Sequence, residues 1–257
     1  MKETLVKETT KIEPKNPVLI EGLPGMGIVG RIATRYLIKQ LGAKRFAELY
    51  SPHFPYYVLV NKRGNVRLLR AEFYFWKNPM GENDLIFLTG DSQAQTIEGQ
   101  YEVTKSILDF AQKLGAKTII TIGGYRQEAE DHPQVIAVST SPELLKKALG
   151  AKAIASPPGN PIVGTAGLLL GLAKFTKMDA LCLLGETRGY LPDPKAARSI
   201  LEVLQRILSF QVDLNGLDKE IEKSKEIVVK MQEIEERRES YAQKMRQTES
   251  ARVTYIS

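Results

Sequence analysis

The feature that most constrains the fold is an alternation of short apolar runs and longer segments with helical spacing between residues 84 and 208. Runs such as 84–89, 118–122 and 180–184 are apolar at most positions. Strands of this kind are typical of a sheet that helices cover on both faces. We therefore predict an α/β protein with a mostly parallel sheet flanked by helices.

Turn and capping residues give the expected boundaries of the elements within a core domain at 17–212. Residues 1–16 are polar, and we expect them to be loosely ordered or to add an element at the edge. A hairpin is expected over 56–75, with its turn at 62–65. The expected strands are 18–20, 84–89, 118–122, 135–139, 153–155 and 180–184, and the expected helices are 28–41, 97–114, 142–149, 162–175 and 194–208.

The pattern changes after the core. Apolar residues within 213–250 follow coiled-coil spacing, and no glycine or proline interrupts 217–250. This predicts a long amphipathic helix that packs on a partner helix, for example from a second copy, or else a solvated terminal helix. Residues 251–257 are expected to form a mobile tail. The residues expected to mediate self-association are Leu217, Ile221, Val228, Met231, Ile234, Tyr241 and Met245.

Composition argues against nucleic-acid and membrane partners. The 257 residues carry a formal net charge of +6, but both signs are mixed along the chain, whereas nucleic-acid binders concentrate basic residues in one patch. The single cysteine, Cys182, suits a reducing compartment. We find no leader pattern and no apolar run long enough to span a bilayer, so we expect a soluble, cytoplasmic protein.

The first glycine cluster resembles a dinucleotide fingerprint. Gly25, Gly27 and Gly30 fit G-x-G-x-x-G between a strand and a helix, and Gly22 precedes them. Such a site also needs an acidic residue at the end of the second strand. Glu48 has a suitable spacing, but it precedes a proline-containing segment that is a poor setting for a strand end. Pro24 also stiffens the turn. We therefore favour a structural turn and expect no cofactor.

Two further glycine pairs have similar interpretations. Gly123 and Gly124 are expected to end a strand, where the chain must turn. Gly164 and Gly167 open an apolar helix, where small residues permit close packing. Either pair could cradle an anion, but neither has the Lys and Ser/Thr of a P-loop.

No catalytic machinery or metal site can be assembled from the sequence. His53 is expected in a constrained loop, and Cys182 in the core. His132 follows three carboxylates within 128–131, but no second ligand cluster accompanies them. Glu186 and Arg188 follow an apolar strand and are the best candidates for small-molecule binding, because open α/β sheets bind ligands at strand ends.

Two segments, 22–30 and 185–197, together resemble the archaeal proteasome-assembly-chaperone family, which is related to the second proteasome assembly chaperone of eukaryotes. Segments 123–124 and 164–169 also match, and the resemblance covers about 17–210. Asp193 is expected to cap a helix, with Pro194 at its first position, so this marker also has a structural interpretation. The family-motif residues in the second segment are Glu186, Tyr190, Pro192, Asp193 and Pro194.

The resemblance implies a fold like that of purine nucleoside phosphorylases, without their catalytic residues. It also implies a homo-oligomeric, ATP-independent chaperone or activator that binds the α-ring of the 20S proteasome. Family members dock through a C-terminal hydrophobic–Tyr–any-residue tail. The corresponding residues here are Val253, Thr254, Tyr255, Ile256 and Ser257, with the tyrosine third from the end instead of second. A nucleoside- or nucleotide-binding enzyme and a general oligomeric scaffold or holdase remain alternatives.

Overall fold

The computed structural model describes residues 1–79, 81, 83–127, 132–217, 219 and 221. The chain divides into one unit at Met1–Leu214 and a second unit that begins at Asn215. The helices of the first unit are α1 (Val29–Leu41), α2 (Ile97–Lys113), α3 (Pro142–Gly150), α4 (Gly164–Ala173) and α5 (Pro194–Leu208). Its strands are β1 (Leu5–Glu8), β2 (Val18–Glu21), β3 (Lys44–Tyr50), β4 (Val58–Val60), β5 (Val66–Leu68), β6 (Ala71–Trp76), β7 (Leu85–Gly90), β8 (Thr118–Arg126), β9 (Val135–Ser139), β10 (Ile154–Ala155) and β11 (Asp179–Thr187).

Nine strands among the described residues form one sheet in the order β1-β3-β6-β7-β2-β8-β11-β9-β10. The central strands β7, β2, β8 and β11 run parallel. On one side of these four strands, β6, β3 and β1 follow, each antiparallel to the strand before it. On the other side, β9 runs antiparallel to β11. This confirms an α/β protein whose large sheet is parallel at its centre and mixed as a whole.

Helices flank the sheet on both faces. Helices α2 and α4 pack together on one face, and α1, α3 and α5 cover the other. Three aromatic rings fill the core between α2 and the antiparallel strands. The centroid of Phe73 lies 6.2 Å from that of Phe46 and 4.8 Å from that of Phe110, the second pair edge to face. Aromatic contacts of this geometry add to the stabilisation from burial alone.

Local capping explains why the predicted ends of α1 and α5 agree with the structure to within one residue, whereas α4 is two residues shorter at each end than the predicted 162–175. Helix α5 has the predicted bounds, and its Asp193 side chain accepts a hydrogen bond of 2.9 Å from Ala196 N. Helix α1 ends at Gly42, whose φ of 65° lies in the left-handed region that favours glycine. Caps depend on residues three or four positions apart, and the sequence displays them directly.

Long-range pairing changed three expected elements. Strand β3, which contains Glu48, was not expected. Its charged side chains form ion pairs with Glu72 in β6 and with Arg70, which directly precedes β6. The predicted hairpin is divided, because only Val66–Leu68 pairs with β4 while Ala71–Trp76 joins the main sheet. The prediction that β8 ends at Gly123 and Gly124 is wrong, since both glycines pair with β11 inside the strand.

The chain termini differ in what the structure describes. Residues Leu5–Glu8 form an edge strand against β3, which is one of the two alternatives for the polar N-terminal segment. Residues 215–217, 219 and 221 are helical, while the rest of the predicted helix and the tail at 251–257 lie outside the described residues. Within the described part of the chain, no helix is both long enough and apolar enough to cross a membrane.

The aromatic cluster gives a direct test of the core. Phe73→Ala should lower the free energy of unfolding by about 3–5 kcal/mol, because it removes a fully buried ring and leaves a cavity. Phe175→Ala is the matched control, since that ring is 87% exposed. Chemical denaturation of both variants measures the difference. Equal stabilities would show that the ring cluster does not support the core as described.

Candidate functional site

The glycine motifs that lie apart in the sequence meet at one edge of the sheet. The turn at 22–30 follows β2, the pair at 123–124 lies in β8, and the loop at 188–193 follows β11. These three strands are adjacent and parallel, so their carboxyl ends share one edge. This is the edge at which open α/β sheets bind ligands. The position therefore makes the cluster the first candidate for a functional site.

Backbone hydrogen bonds join the turn after β2 to the loop after β11. Gly27 N donates to Gly189 O at 3.3 Å, and Asp193 N donates to Gly27 O at 2.9 Å. Gly27 has a φ of 58°, which a side chain would strain. The two segments that carry the family resemblance thus form one hydrogen-bonded structure.

Asp193 holds the loop after β11 and caps the next helix. One of its oxygens accepts from Ala196 N, and the other accepts from the Thr187 hydroxyl at 2.7 Å. The same hydroxyl oxygen accepts from Gly189 N at 3.1 Å. The carboxylate is therefore occupied by structural hydrogen bonds, which confirms the prediction that Asp193 caps α5.

Close backbone packing explains the glycines at the centre of the cluster. A Cβ on Gly30 would lie 2.3 Å from the Ile122 carbonyl oxygen, and one on Gly124 would lie 2.5 Å from the Met26 carbonyl oxygen. Since backbone atoms cannot move aside as a flexible side chain can, a larger residue at either position requires the backbone to shift. Gly30, the last of the fingerprint glycines, thus permits the contact between α1 and β8, and Gly124 permits the contact between β8 and the turn at Met26.

Gln93, just after β7, links a further motif to the cluster. Its Nε2 donates to Pro24 O at 2.8 Å, and its Oε1 accepts from Thr165 N at 2.9 Å. A Cβ on Gly164 would lie 2.7 Å from the same Oε1. Sequence reasoning missed Gln93, because nothing local marks a glutamine whose partners lie about 70 residues away in either direction.

The glycine turn is poorly suited to a dinucleotide phosphate. Such a phosphate takes free N–H groups at the start of the helix. Here Gly27 N is bonded to Gly189 O, and Ile28 N donates to Gly25 O at 2.9 Å. Ile28 itself is left-handed, with a φ of 43°, so helical geometry begins only at Val29. The turn is closed by internal bonds, in agreement with the structural interpretation of the fingerprint.

Glu48 does not complete a cofactor site. The expectation that it does not lie near a strand end was nevertheless wrong. Glu48 lies in β3 near the end of that strand, and β6 and β7 separate β3 from β2. Its carboxylate forms ion pairs with Arg45 at 3.1 Å and Arg70 at 3.0 Å. The facing carboxylate, Glu72, pairs with the same two arginines at 2.7 and 2.8 Å. Glu48 is therefore part of an ion-pair network that joins β3 to β6, in which the two carboxylates are buried and Arg45 is exposed.

The two small-molecule candidates, Glu186 within β11 and Arg188 just after it, are not brought together. Glu186 is buried, and it accepts from Gln134 N at 2.9 Å, whereas Arg188 is exposed. The exposed rim of the cluster instead contains Arg126 stacked on Tyr190, with the guanidinium carbon 4.8 Å from the ring centroid, and the two side chains are also hydrogen-bonded. A cation on an aromatic face adds about 0.5–1 kcal/mol at an exposed site.

The histidines and the cysteine show no catalytic arrangement among the described residues. His53 Nε2 lies 3.0 Å from Glu102 Oε2, and Glu102 also accepts from Thr4 N at 2.7 Å. Hydrogen bonds from Thr4, and then from His53, lower the pKa of Glu102. Burial raises the pKa of Cys182 to about 12, as expected of a core thiol. No potential metal-binding cluster occurs in the described parts of the chain, and the carboxylates near His132 lie outside them.

Glu21 is a buried acid that sequence reasoning did not single out. It ends β2 beside Thr121, which in turn pairs with Cys182. Burial raises the pKa of Glu21 to about 7, although a hydrogen bond from Leu23 N opposes the shift. Its second oxygen, Oε2, has no hydrogen-bond partner among the described residues. The charged form is therefore disfavoured in the folded protein.

Replacing the fingerprint glycine tests its structural role. Gly30→Ala should lower the free energy of unfolding by about 1–3 kcal/mol, because the new methyl group meets the Ile122 carbonyl. Gly171→Ala is the matched control in α4, where an added Cβ has no atom within 4 Å. The control should be neutral or stabilising by up to about 1 kcal/mol, since alanine favours helix. Denaturant unfolding measures both, and an equal effect would contradict the packing role.

Glu21 predicts a pH dependence of stability. Burial raises its folded pKa to about 7, above the ordinary value of 4.5, so the folded state binds the proton more tightly. The associated stability is fully present below pH 4.5 and is lost as the pH rises through 7. Glu21→Gln should therefore be more stable than the wild type at pH 8, by up to about 3 kcal/mol. Unfolding at pH 5 and pH 8 tests this, and a pH-independent difference would refute it.

Comparison with known proteins agrees with the motif cluster. A family model described as the PAC2 family matches residues 19–232. The uncharacterised protein MJ1210 of Methanocaldococcus jannaschii is 34% identical over 238 residues, which cover 92% of this chain and 91% of that protein.

Solved structures from Pyrococcus furiosus are also similar. PbaB, an archaeal proteasome activator, has a TM-score of 0.86 at 41% identity, with 90% of this chain and 100% of that chain covered. PbaA, an archaeal homolog of proteasome-assembly chaperone, has a TM-score of 0.73 at 30% identity, with 96% and 98% covered. With its glycine motifs joined in one structural cluster and matches of this extent, the chain belongs to the PAC2 family.

Proposed function

We propose that this chain is a non-enzymatic, ATP-independent proteasome activator or assembly chaperone that acts as a cytoplasmic homo-oligomer and binds the α subunits of the 20S proteasome. The observation that carries this proposal is the likeness to PbaB, which extends over 90% of this chain and all of the other. Between the two roles, activation is favoured, because PbaB has the higher identity and TM-score of the two Pyrococcus furiosus proteins.

The closed glycine turn supports a binding role over an enzymatic one. A nucleotide-binding enzyme on this fold would need the N–H groups of residues 27 and 28 for phosphate, and both are engaged within the protein. Asp193 and Glu186, the acidic residues of the second motif, likewise accept hydrogen bonds from backbone N–H groups. The motif residues thus serve to shape the body that presents the binding elements.

We propose a separate role for each of the expected parts of the chain. Residues 17–212 form the body, for which we propose the fold of purine nucleoside phosphorylases. Residues 213–250 form a helical extension that contributes to self-association, and residues 251–257 form the docking tail. Within that tail, Tyr255 supplies an aromatic ring with a polar tip, which suits a pocket that is apolar inside and hydrated at its mouth.

The tail is tested by mixing the full-length protein with 20S proteasome. Tyr255→Ala should reduce co-sedimentation at least about tenfold while leaving the unfolding curve unchanged, because aromatic anchors carry much of the affinity in small interfaces. Tyr101→Ala is the matched control, since Tyr101 is an exposed tyrosine on α2. Fluorogenic-peptide hydrolysis in the same samples separates the two roles.

The outcomes of this experiment differ in meaning. Binding that depends on Tyr255 with faster peptide hydrolysis indicates an activator that opens the gate. Binding that depends on Tyr255 without faster hydrolysis indicates an assembly chaperone. Full binding by Tyr255→Ala refutes docking through the tail, and no binding by the wild type favours a general scaffold or holdase.

A further inference from the structure

The hairpin of β4 and β5 exposes a continuous aliphatic face. Val58 faces Leu68 and Val60 faces Val66 across the two strands, so the four side chains share one side of the hairpin. Their exposed fractions are 47, 52, 67 and 65%, respectively. Isolated exposed apolar residues are ordinary on a protein surface, but a contiguous group indicates an interaction site. We name these four residues the hairpin face.

The opposite side of the hairpin is fastened to the body. Leu59 packs against the main core, and Arg67 donates two hydrogen bonds to Asp91, at 2.5 and 3.0 Å. Asp91 also accepts from Arg70 N at 3.1 Å. Partial burial alone would raise the pKa of Asp91, but these hydrogen bonds and the Arg67 charge outweigh it and lower the pKa. The hairpin face is therefore held in place on the side turned away from the core.

The two ends of the hairpin differ in chemistry. Lys62 and Arg63 lie in the connecting loop, where Gly64 has a φ of 78°. Tyr56 and Tyr57 precede β4 at the other end, and Tyr56 is fully exposed. The three residues of β4 between these two ends span about 10 Å. A basic end and an aromatic end thus flank the aliphatic face.

The basic end and the aromatic end of the hairpin indicate which partner could cover the hairpin face. We propose that the hairpin face packs against the hairpin face of a second copy of this chain, antiparallel and around a two-fold axis. In that arrangement the basic loop of each copy lies over the tyrosines of the other, where cations and aromatic faces attract. A parallel arrangement would instead place the two basic loops side by side, where like charges repel.

The available area suits such a contact. The four aliphatic side chains and the two tyrosines expose roughly 600 Å² in each copy, against about 800 Å² per partner in a standard interface. The remainder would come from surface around these residues. The proposal rests on the homo-oligomeric part of the proposed function and adds a surface separate from the helical extension at 213–250.

Self-association of the full-length protein tests the hairpin face without the proteasome. Val60→Lys should weaken the assembly at least about tenfold in sedimentation-equilibrium experiments, because it buries a charge between two apolar surfaces. Val163→Lys is the matched control, since Val163 is also an exposed valine, at the start of α4. A circular-dichroism melt checks that both variants remain folded.

Cysteine cross-linking tests the antiparallel arrangement and does not depend on a destabilising change. The native Cys182 is buried, so introduced cysteines react selectively. Lys62→Cys and Tyr57→Cys proteins should cross-link when mixed, whereas neither should cross-link alone. Cross-linking of Lys62→Cys alone would indicate parallel packing and overturn the arrangement.

The remaining outcomes separate this proposal from the proposed function. A monomeric wild type, or an assembly that Val60→Lys leaves unchanged, refutes self-association through the hairpin face. If Val60→Lys abolishes co-sedimentation with 20S proteasome while the oligomer is unchanged, the face belongs to the proteasome contact instead. Loss of proteasome binding in Tyr255→Ala with an intact oligomer leaves the hairpin proposal standing.

Discussion

The close approach of the glycine turn to β8 is the constraint on which the carboxyl edge of the sheet depends. Helix α1 can pack against β8 because Gly30 lets its backbone reach the Ile122 carbonyl, and Gly124 allows a similar contact with the Met26 carbonyl. Both are contacts of backbone with backbone, so rotation of a side chain cannot relieve an added Cβ. The loop after β11 then forms backbone hydrogen bonds with the turn, and Gln93 accepts a hydrogen bond from Thr165 N at the start of α4.

The polar groups of the body are used to hold it together. Glu48 and Glu72 share two arginines across β3 and β6, and Arg67 fastens the hairpin to Asp91. Glu48 and Glu72 are buried, so removing an arginine partner leaves their charges less well compensated. Glu21 differs, because burial disfavours its charged form more than the hydrogen bond from Leu23 N favours it. Its protonation therefore links stability to pH, and no catalytic role is required.

The hydrogen-bonding groups of the motif cluster are used within the protein, so partner binding is expected on other surfaces. In this chain, most of the motif residues that carry the family resemblance shape the carboxyl edge of the sheet. Binding then falls to other elements, here the proposed tail around Tyr255 and the proposed self-contact through the hairpin face. A rigid body suits this role, because contacts on a preorganised scaffold lose less conformational entropy on binding.

The sequence by itself determined the α/β class, most helices and the caps, because periodicity and capping act over three or four residues, as Asp193 and Pro194 show. It also indicated the glycine motifs that meet at the carboxyl edge of the sheet. The tertiary structure alone decided that β3 is a strand, that Val66–Leu68 and Ala71–Trp76 part into different sheets, and that Gln93 joins two motifs. The physical reason is that pairing and packing partners lie far apart along the chain, where no local pattern records them.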